Sequence, residues 1–362
     1  MNINLLILTI SGFIAFIIPS LIYKISFANK NPFAAKKEKL TSIFLPFAVS
    51  SLIVCSILYP IIFDRHEFLY PFNFIEMISP LIAAIILFLC SKNSHISRFF
   101  PLFLFLTCVA CSYSIPTETI SAIFPFPALY TRLIITAAWF LFSYIYRYAN
   151  SGGATLGIQS AGIAIGITAL SLIEAIPFFI GLIAAIISAG CLSIITATWP
   201  PANKTISNNS STCLGFIIFA LMVWTSGEQA ISCVGILALY FIIDFIWAFA
   251  LRLTFIDQYS NIKENTAYRQ ALAKGISPQT ASAFLCKAQL LIILFGVFQA
   301  ISPQQNSLLL VSTLVAIWLS YKMRNLDENN KTIKDLNKEV IEDIQSRINN
   351  IKQYINKEEN DQ

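Results

Sequence analysis

Predominantly apolar runs of about twenty residues, the length a helix needs to cross the hydrocarbon of a bilayer, succeed one another along this chain from residue 4 to residue 322. Eleven runs are distinguished, at approximately 4 to 26, 42 to 63, 74 to 90, 98 to 115, 122 to 146, 153 to 172, 174 to 198, 212 to 226, 230 to 251, 284 to 301 and 306 to 322. Hydrophobic residues make up 56% of the 362 and charged residues 12%, far below the ~25% of a soluble domain. From Gly153 to Ala250 the only charged side chains are Glu174, Lys204, Glu228 and Asp244. The expected fold is therefore all-α: a polytopic membrane helix bundle of about 11 transmembrane helices over residues 1–322, with a charged cytoplasmic tail over 323–362.

The connecting loops carry a sidedness signal. Lys30, Lys36, Lys37, Lys39, Lys92, Arg98, Arg147, Lys204, Arg252, Lys263, Arg269 and Lys274 fall in one alternate set, and the opposite set holds essentially Arg65 alone. The positive-inside rule then predicts an outside N-terminus and a cytoplasmic C-terminus. The net charge of +5 is spread over short loops in this way and reads as topology, not as a nucleic-acid surface. The run from Leu5 to Ile25 lacks a basic n-region and a small-residue cleavage site, so a retained span is expected.

The eight cysteines lie mostly in or beside apolar runs, where Cys behaves as a small hydrophobe. Cys108-x-x-Cys111 has no second pair and no nearby His, and a redox or zinc half-site is not expected. Pro19, Pro46, Pro80 and Pro177 fall within predicted spans, which tolerate them where neighbours satisfy the freed carbonyl. Gly152, Gly153, Gly157, Gly162 and Gly166 suit the sixth span to close helix packing. The long loop from Arg252 to Ala283 predicts a short helix around Thr266 to Lys274, stopped by Gly275. In the tail, Ile333, Leu336, Val340, Ile344, Ile348, Ile351 and Ile355 recur at helical spacing, an amphipathic stripe suited to a protein partner, the membrane surface or the protein's own flank.

Trp199 to Phe216 reads W-P-P-A-N-K-T-I-S-N-N-S-S-T-C-L-G-F. It resembles, at equal length, the loop W-P-P-A-K-I-F-M-G-D-x-G-S-x-x-L-G-F of the polyprenyl-phosphate N-acetylhexosamine-1-phosphate transferases, the glycosyltransferase 4 family. Trp199, Pro200, Pro201 and Ala202 match, while the family's Gly-Asp pair is replaced by Ser207-Asn208. The resemblance continues at Asp244, an acid at a span end, and in the loop beyond it. There the family's paired histidines become Lys263 and Thr266, whereas Tyr268 and the Gly275-Ile276-Ser277 turn fit. The stretch Trp139 to Gly153 is similar to the family's N-x-x-N-F-x-D-G-x-D-G segment: Phe142 and Ile145 stand at the Asn positions, Tyr148 and Ser151 at the Asp positions, and Gly152 is retained. Ser91-Lys92 corresponds to an Asp-Asp pair after the third span.

The resemblance implies transfer of a sugar-1-phosphate from a UDP-sugar to a membrane lipid, polyprenyl phosphate, at a bacterial inner membrane, assisted by Mg²⁺. That ion requires hard oxygen ligands, usually one or two carboxylates with phosphate oxygens. Ser91, Lys92, Tyr148, Ser151, Asn208, Lys263 and Thr266 supply none of the family's acids or histidines, so neither catalysis nor a metal cofactor is expected at these positions. A homologue that binds a lipid carrier or a protein partner is the leading expectation. Two others stand beside it: an active divergent transferase whose Mg²⁺ site is rebuilt from Asp257, Glu264 or Asp244, and a small-molecule transporter. For Asp244 the nearest candidate counter-charge in sequence is Arg252, about two helical turns on.

Overall fold

The computed structural model describes residues 11–17, 20–21, 48–49, 51, 74–92, 96–115, 126–152, 154–200, 206–226, 231–254, 262–302 and 306–326. Among these the chain is helical throughout, with no strand. The stripe predicted in the tail, Pro201, Ala202 and Asp257 lie outside the described residues.

The long helices are α1 (Phe74–Lys92), α2 (Phe100–Ser114), α3 (Ala128–Tyr146), α4 (Thr155–Leu172), α5 (Phe178–Thr198), α6 (Asn208–Thr225), α7 (Ile231–Thr254), α9 (Pro278–Ile301) and α10 (Asn306–Arg324); the short α8 (Ala267–Ala273) lies between α7 and α9. Among the described residues, seven helices are long and apolar enough to cross a membrane, which makes this a multi-pass membrane protein. Their outer faces carry exposed Leu102, Phe105, Leu141, Leu290 and Leu314, side chains that lipid would cover at no hydrophobic cost.

Several helix ends differ from the expected spans for local reasons. α6 begins at Asn208, four residues before the apolar run, because polar side chains there find partners on their own helix. The Ser207 hydroxyl accepts the Ser210 N–H at 3.2 Å, and the Ser211 and Thr212 hydroxyls donate to the Ser207 and Asn208 carbonyls, both at 3.0 Å. α9 starts early in the same way, with Ser277 capping the Thr280 N–H at 3.1 Å and Pro278 in the first turn. Pro177 does not lie inside a helix as predicted: it is the N-cap of α5, after a turn in which Glu174 has φ 61°. Pro80 is inside α1.

Two cores divide the bundle. One joins α1 to α6 and one face of α7 around aromatic side chains: Trp139 lies 5.0 Å from the Phe216 ring and donates its indole N–H to the Phe216 carbonyl at 3.0 Å. A Cβ at Gly215 would sit 2.7 Å from Tyr146 Cγ, so the Leu-Gly-Phe of the loop motif is the packing surface of α6 against α3. The second core joins α7, α8, α9 and α10 through Ile236, Tyr240, Tyr268, Leu285, Leu319 and Met323. α4 packs closely on both sides: a Cβ at Gly157 would lie 2.7 Å from Ile195 of α5, and one at Gly162 would displace Gln289 of α9.

Candidate functional site

The end of the bundle where α3, α5, α7 and α10 finish and α4, α6 and α9 begin holds a cleft between the two cores. It is narrow, with about 10 Å³ of accessible space, and is lined by Tyr148, Ser151 and Gln159 on one side and by Asp244, Thr266 and Tyr268 on the other. Four positions singled out by motif, Tyr148, Ser151, Thr266 and Tyr268, thus meet from two distant parts of the chain, and Asp244 joins them.

The turn after α3 shapes one wall. Gly152 has φ 138°, a conformation L side chains rarely adopt. The Thr155 hydroxyl closes the turn by donating to the Ala149 carbonyl at 2.8 Å, and Asn150 ties it to the Ile206 carbonyl at 2.6 Å. A Cβ on Gly152 would lie 3.5 Å from Tyr268 Cε1 and 3.6 Å from Arg269 Nη2, so this turn faces α8 directly.

The opposite wall is the 3₁₀ turn Ile262–Asn265 and α8, which ends at Gly275 with φ 91° near its predicted stop. Asp244 fixes this wall. One carboxylate oxygen accepts the Ala267 backbone N–H at 3.0 Å and pairs with Arg324 Nη2 at 2.6 Å, with both side chains buried. Arg324 also donates to the carbonyls of Asn265 at 3.3 Å and Asp244 at 3.4 Å, bonds the Ser320 hydroxyl, and lies over the Trp247 ring. The expected Asp244–Arg252 pair is corrected here: Arg252 is exposed in the last turn of α7, and the counter-charge comes from α10, eighty residues away.

Lys263 and Asn208, two more motif positions, meet outside the cleft lining. Lys263 Nζ donates to Asn208 Oδ1 at 2.6 Å, joining the 3₁₀ turn to the start of α6. Burial lowers the Lys263 pKa from its ordinary value, and the nearby positive charges of Arg147 and Arg269 add to the effect against a smaller opposing pull from Glu264. Arg147 stacks on Tyr144 at 4.1 Å and donates to the Tyr148 hydroxyl at 3.0 Å. Burial raises the Tyr268 pKa, with the Ser282 hydroxyl and Arg269 opposing it, and keeps the phenol neutral.

Other predicted positions are not brought to the cleft. Ser91 and Lys92 end α1, where the Ser91 hydroxyl donates to the Phe88 carbonyl at 2.7 Å and Lys92 lies over the Phe88 ring at 5.0 Å. Trp199 caps the C-terminus of α5 and packs against the second core, and Pro200 is buried. Glu264 is exposed. Gln159, which lines the cleft, and Arg324, which clasps Asp244 from behind that lining, are the residues that sequence reasoning missed. Each left a trace: Arg324 stands just beyond the last apolar run, and Gln159 is the one amide side chain within the sixth.

Mg²⁺, which the resemblance implies, does not fit these donors. Asp244, the carboxylate that lines the cleft, is already engaged by a guanidinium and a backbone N–H; the motif positions beside it offer hydroxyls, and cations gather at the rim. Among the described residues, no three His, Cys, Asp or Glu side chains cluster as metal ligands would. The chain matches no protein-family model and no curated protein.

Proposed function

We propose that this protein is a non-catalytic relative of the polyprenyl-phosphate sugar-1-phosphate transferases, an eleven-span protein of the bacterial inner membrane that binds the phosphorylated lipid carrier. Its N-terminus is outside, its C-terminus is cytoplasmic, and the amphipathic tail is its contact for a protein partner. The observation that carries this reading is the meeting of Tyr148, Ser151, Thr266 and Tyr268 at one cleft whose acid, Asp244, is neutralised by Arg324. The motif positions meet although the acids the family places at them are absent, and the one acid beside them, Asp244, is engaged in holding α10.

The test is an assay of the purified full-length protein with UDP-GlcNAc, undecaprenyl phosphate and Mg²⁺, reading UMP release alongside lipid retention. Retained lipid without UMP is the expected result. Catalytic UMP release that is lost in Asp257→Ala or Asp244→Asn, in protein that still folds, would replace this reading with that of an active transferase.

A further inference from the structure

Within the cleft, hydrogen-bond acceptors stand without enough donors to meet them. Gln159, about one turn into α4, lines the cleft at 5% exposure, and its Oε1 accepts no hydrogen bond. Among the described residues, the donors to Asp244 converge on one carboxylate oxygen. The Ala267 N–H at 3.0 Å, Arg324 at 2.6 Å and the Ser320 hydroxyl at 3.4 Å all meet Oδ1, which leaves Oδ2 as an acceptor. Tyr240, also in the lining, gives its hydroxyl proton to Met323 Sδ at 3.1 Å, so toward the cleft its oxygen can only accept. A buried acceptor without a donor is costly, above all in a bundle surrounded by lipid.

We infer that this cleft holds one water molecule, which donates to Gln159 Oε1 and, across the cleft, to the acceptors of α7, so that it hydrogen-bonds α4 to α7. Size selects water: the accessible space is about 10 Å³, at the lower end of the ~10–15 Å³ that a cavity needs to hold one. Charge selects it too. Asp244 already has its counter-charge in Arg324, so a bound cation would bring an uncompensated positive charge into a low-dielectric interior, and an anion would meet acceptors where it needs donors. The Tyr268 hydroxyl, held by a 3.5 Å contact with Ser282, is the donor to the water oxygen and completes the three partners usual for a buried water. Any ligand group that reaches this depth has to present a hydroxyl or an N–H in the water's place, whether or not a lipid carrier binds nearer the mouth.

The experiment is X-ray radiolytic footprinting of the full-length protein in nanodiscs, read by mass spectrometry. X-rays make hydroxyl radicals from water where it sits, so a trapped water oxidises enclosed side chains that bulk radicals do not reach. Tyr240, 1% exposed, should be oxidised several-fold more than Tyr146, which is 0% exposed and has its hydroxyl bonded to Ser160. Gln159→Met keeps the side-chain length and removes the acceptor; labelling of Tyr240 should then fall to the level of Tyr146, with thermal unfolding as the check that the variant folds. Equal labelling of the two tyrosines in the unaltered protein, or labelling of Tyr240 that survives Gln159→Met, overturns the site. A density map of the unaltered protein at a resolution that shows waters needs no variant: a peak about 2.5–3.0 Å from Gln159 Oε1 supports the water, and an empty cleft overturns it. A peak whose height follows replacement of K⁺ by Tl⁺ would make the occupant a monovalent cation and overturn it as well.

Discussion

Two arginines at the same end of the bundle meet opposite fates. Arg324 is buried against Asp244, Ser320, the Asn265 carbonyl and the Trp247 ring, its charge cancelled within the protein. Arg269, on the neighbouring α8, is only partly buried, lies beside Gly152 and Tyr268, and stands near the like charge of Lys263. The difference separates a cation paired with a carboxylate inside the fold from partly buried cations that stand among like charges. A buried pair is strongly destabilising to break even where it contributes little net stability, because one charge is then stranded; a rim cation costs little to lose.

The sharpest way to break that contrast is Arg324→Gln, which strands Asp244 and should cost about 3–5 kcal/mol, read as a lowered thermal unfolding midpoint in detergent. Asp244→Asn combined with it should recover much of the loss, and a double variant as unstable as the single one would show that Arg324 acts through packing alone. Next in size is Gly152→Ala, where an L side chain must adopt φ 138°. A penalty of about 1–3 kcal/mol is expected, together with weaker lipid retention as the turn moves off Tyr268 and Arg269.

A smaller effect should appear with pH. Lys263 has a folded-state pKa below its ordinary 10.5 because of burial, then Arg147 and Arg269, with Glu264 opposing. Between that lowered value and 10.5 the unfolded chain holds more protons than the folded one, so this residue's contribution to stability rises with pH across the window. Lys263→Gln should remove that rise in a series of denaturation midpoints, and a rise that persists would assign it elsewhere. The least effect on the fold is expected from Arg147→Gln, within about 0.5 kcal/mol as for most exposed or rim positions. A large stability loss there would erase the distinction between clasp and rim.

What the sequence made legible follows from its physics. The long apolar runs predict α1 to α7, α9 and α10, since burial in lipid demands little beyond length and hydropathy. Gly275 marks the end of α8 because a left-handed residue there suits glycine. Motif spacing identified Tyr148, Ser151, Thr266 and Tyr268, which meet at the cleft. The partner of Asp244 was illegible because helical periodicity reports which residues share a face, not which distant helix covers it. Arg252 is near in sequence and Arg324 near in space. Arg147 and Arg269 read as sidedness signals for the same reason: a loop cation has one sequence signature whether it faces solvent or packs against a tyrosine, as Arg147 does on Tyr144 and Arg269 beside Tyr268. Helix starts moved where Ser, Thr and Pro caps outweighed the apolar pattern, as at Ser207 and Ser277.

Because the clasp on Asp244 comes from the last turn of α10, assembly of this end must await nearly all of the membrane region. A chain without Arg324 would leave the Asp244 carboxylate without its counter-charge and the Asn265 carbonyl without that donor, so the last turn of the last described helix completes a site whose acid lies eighty residues earlier.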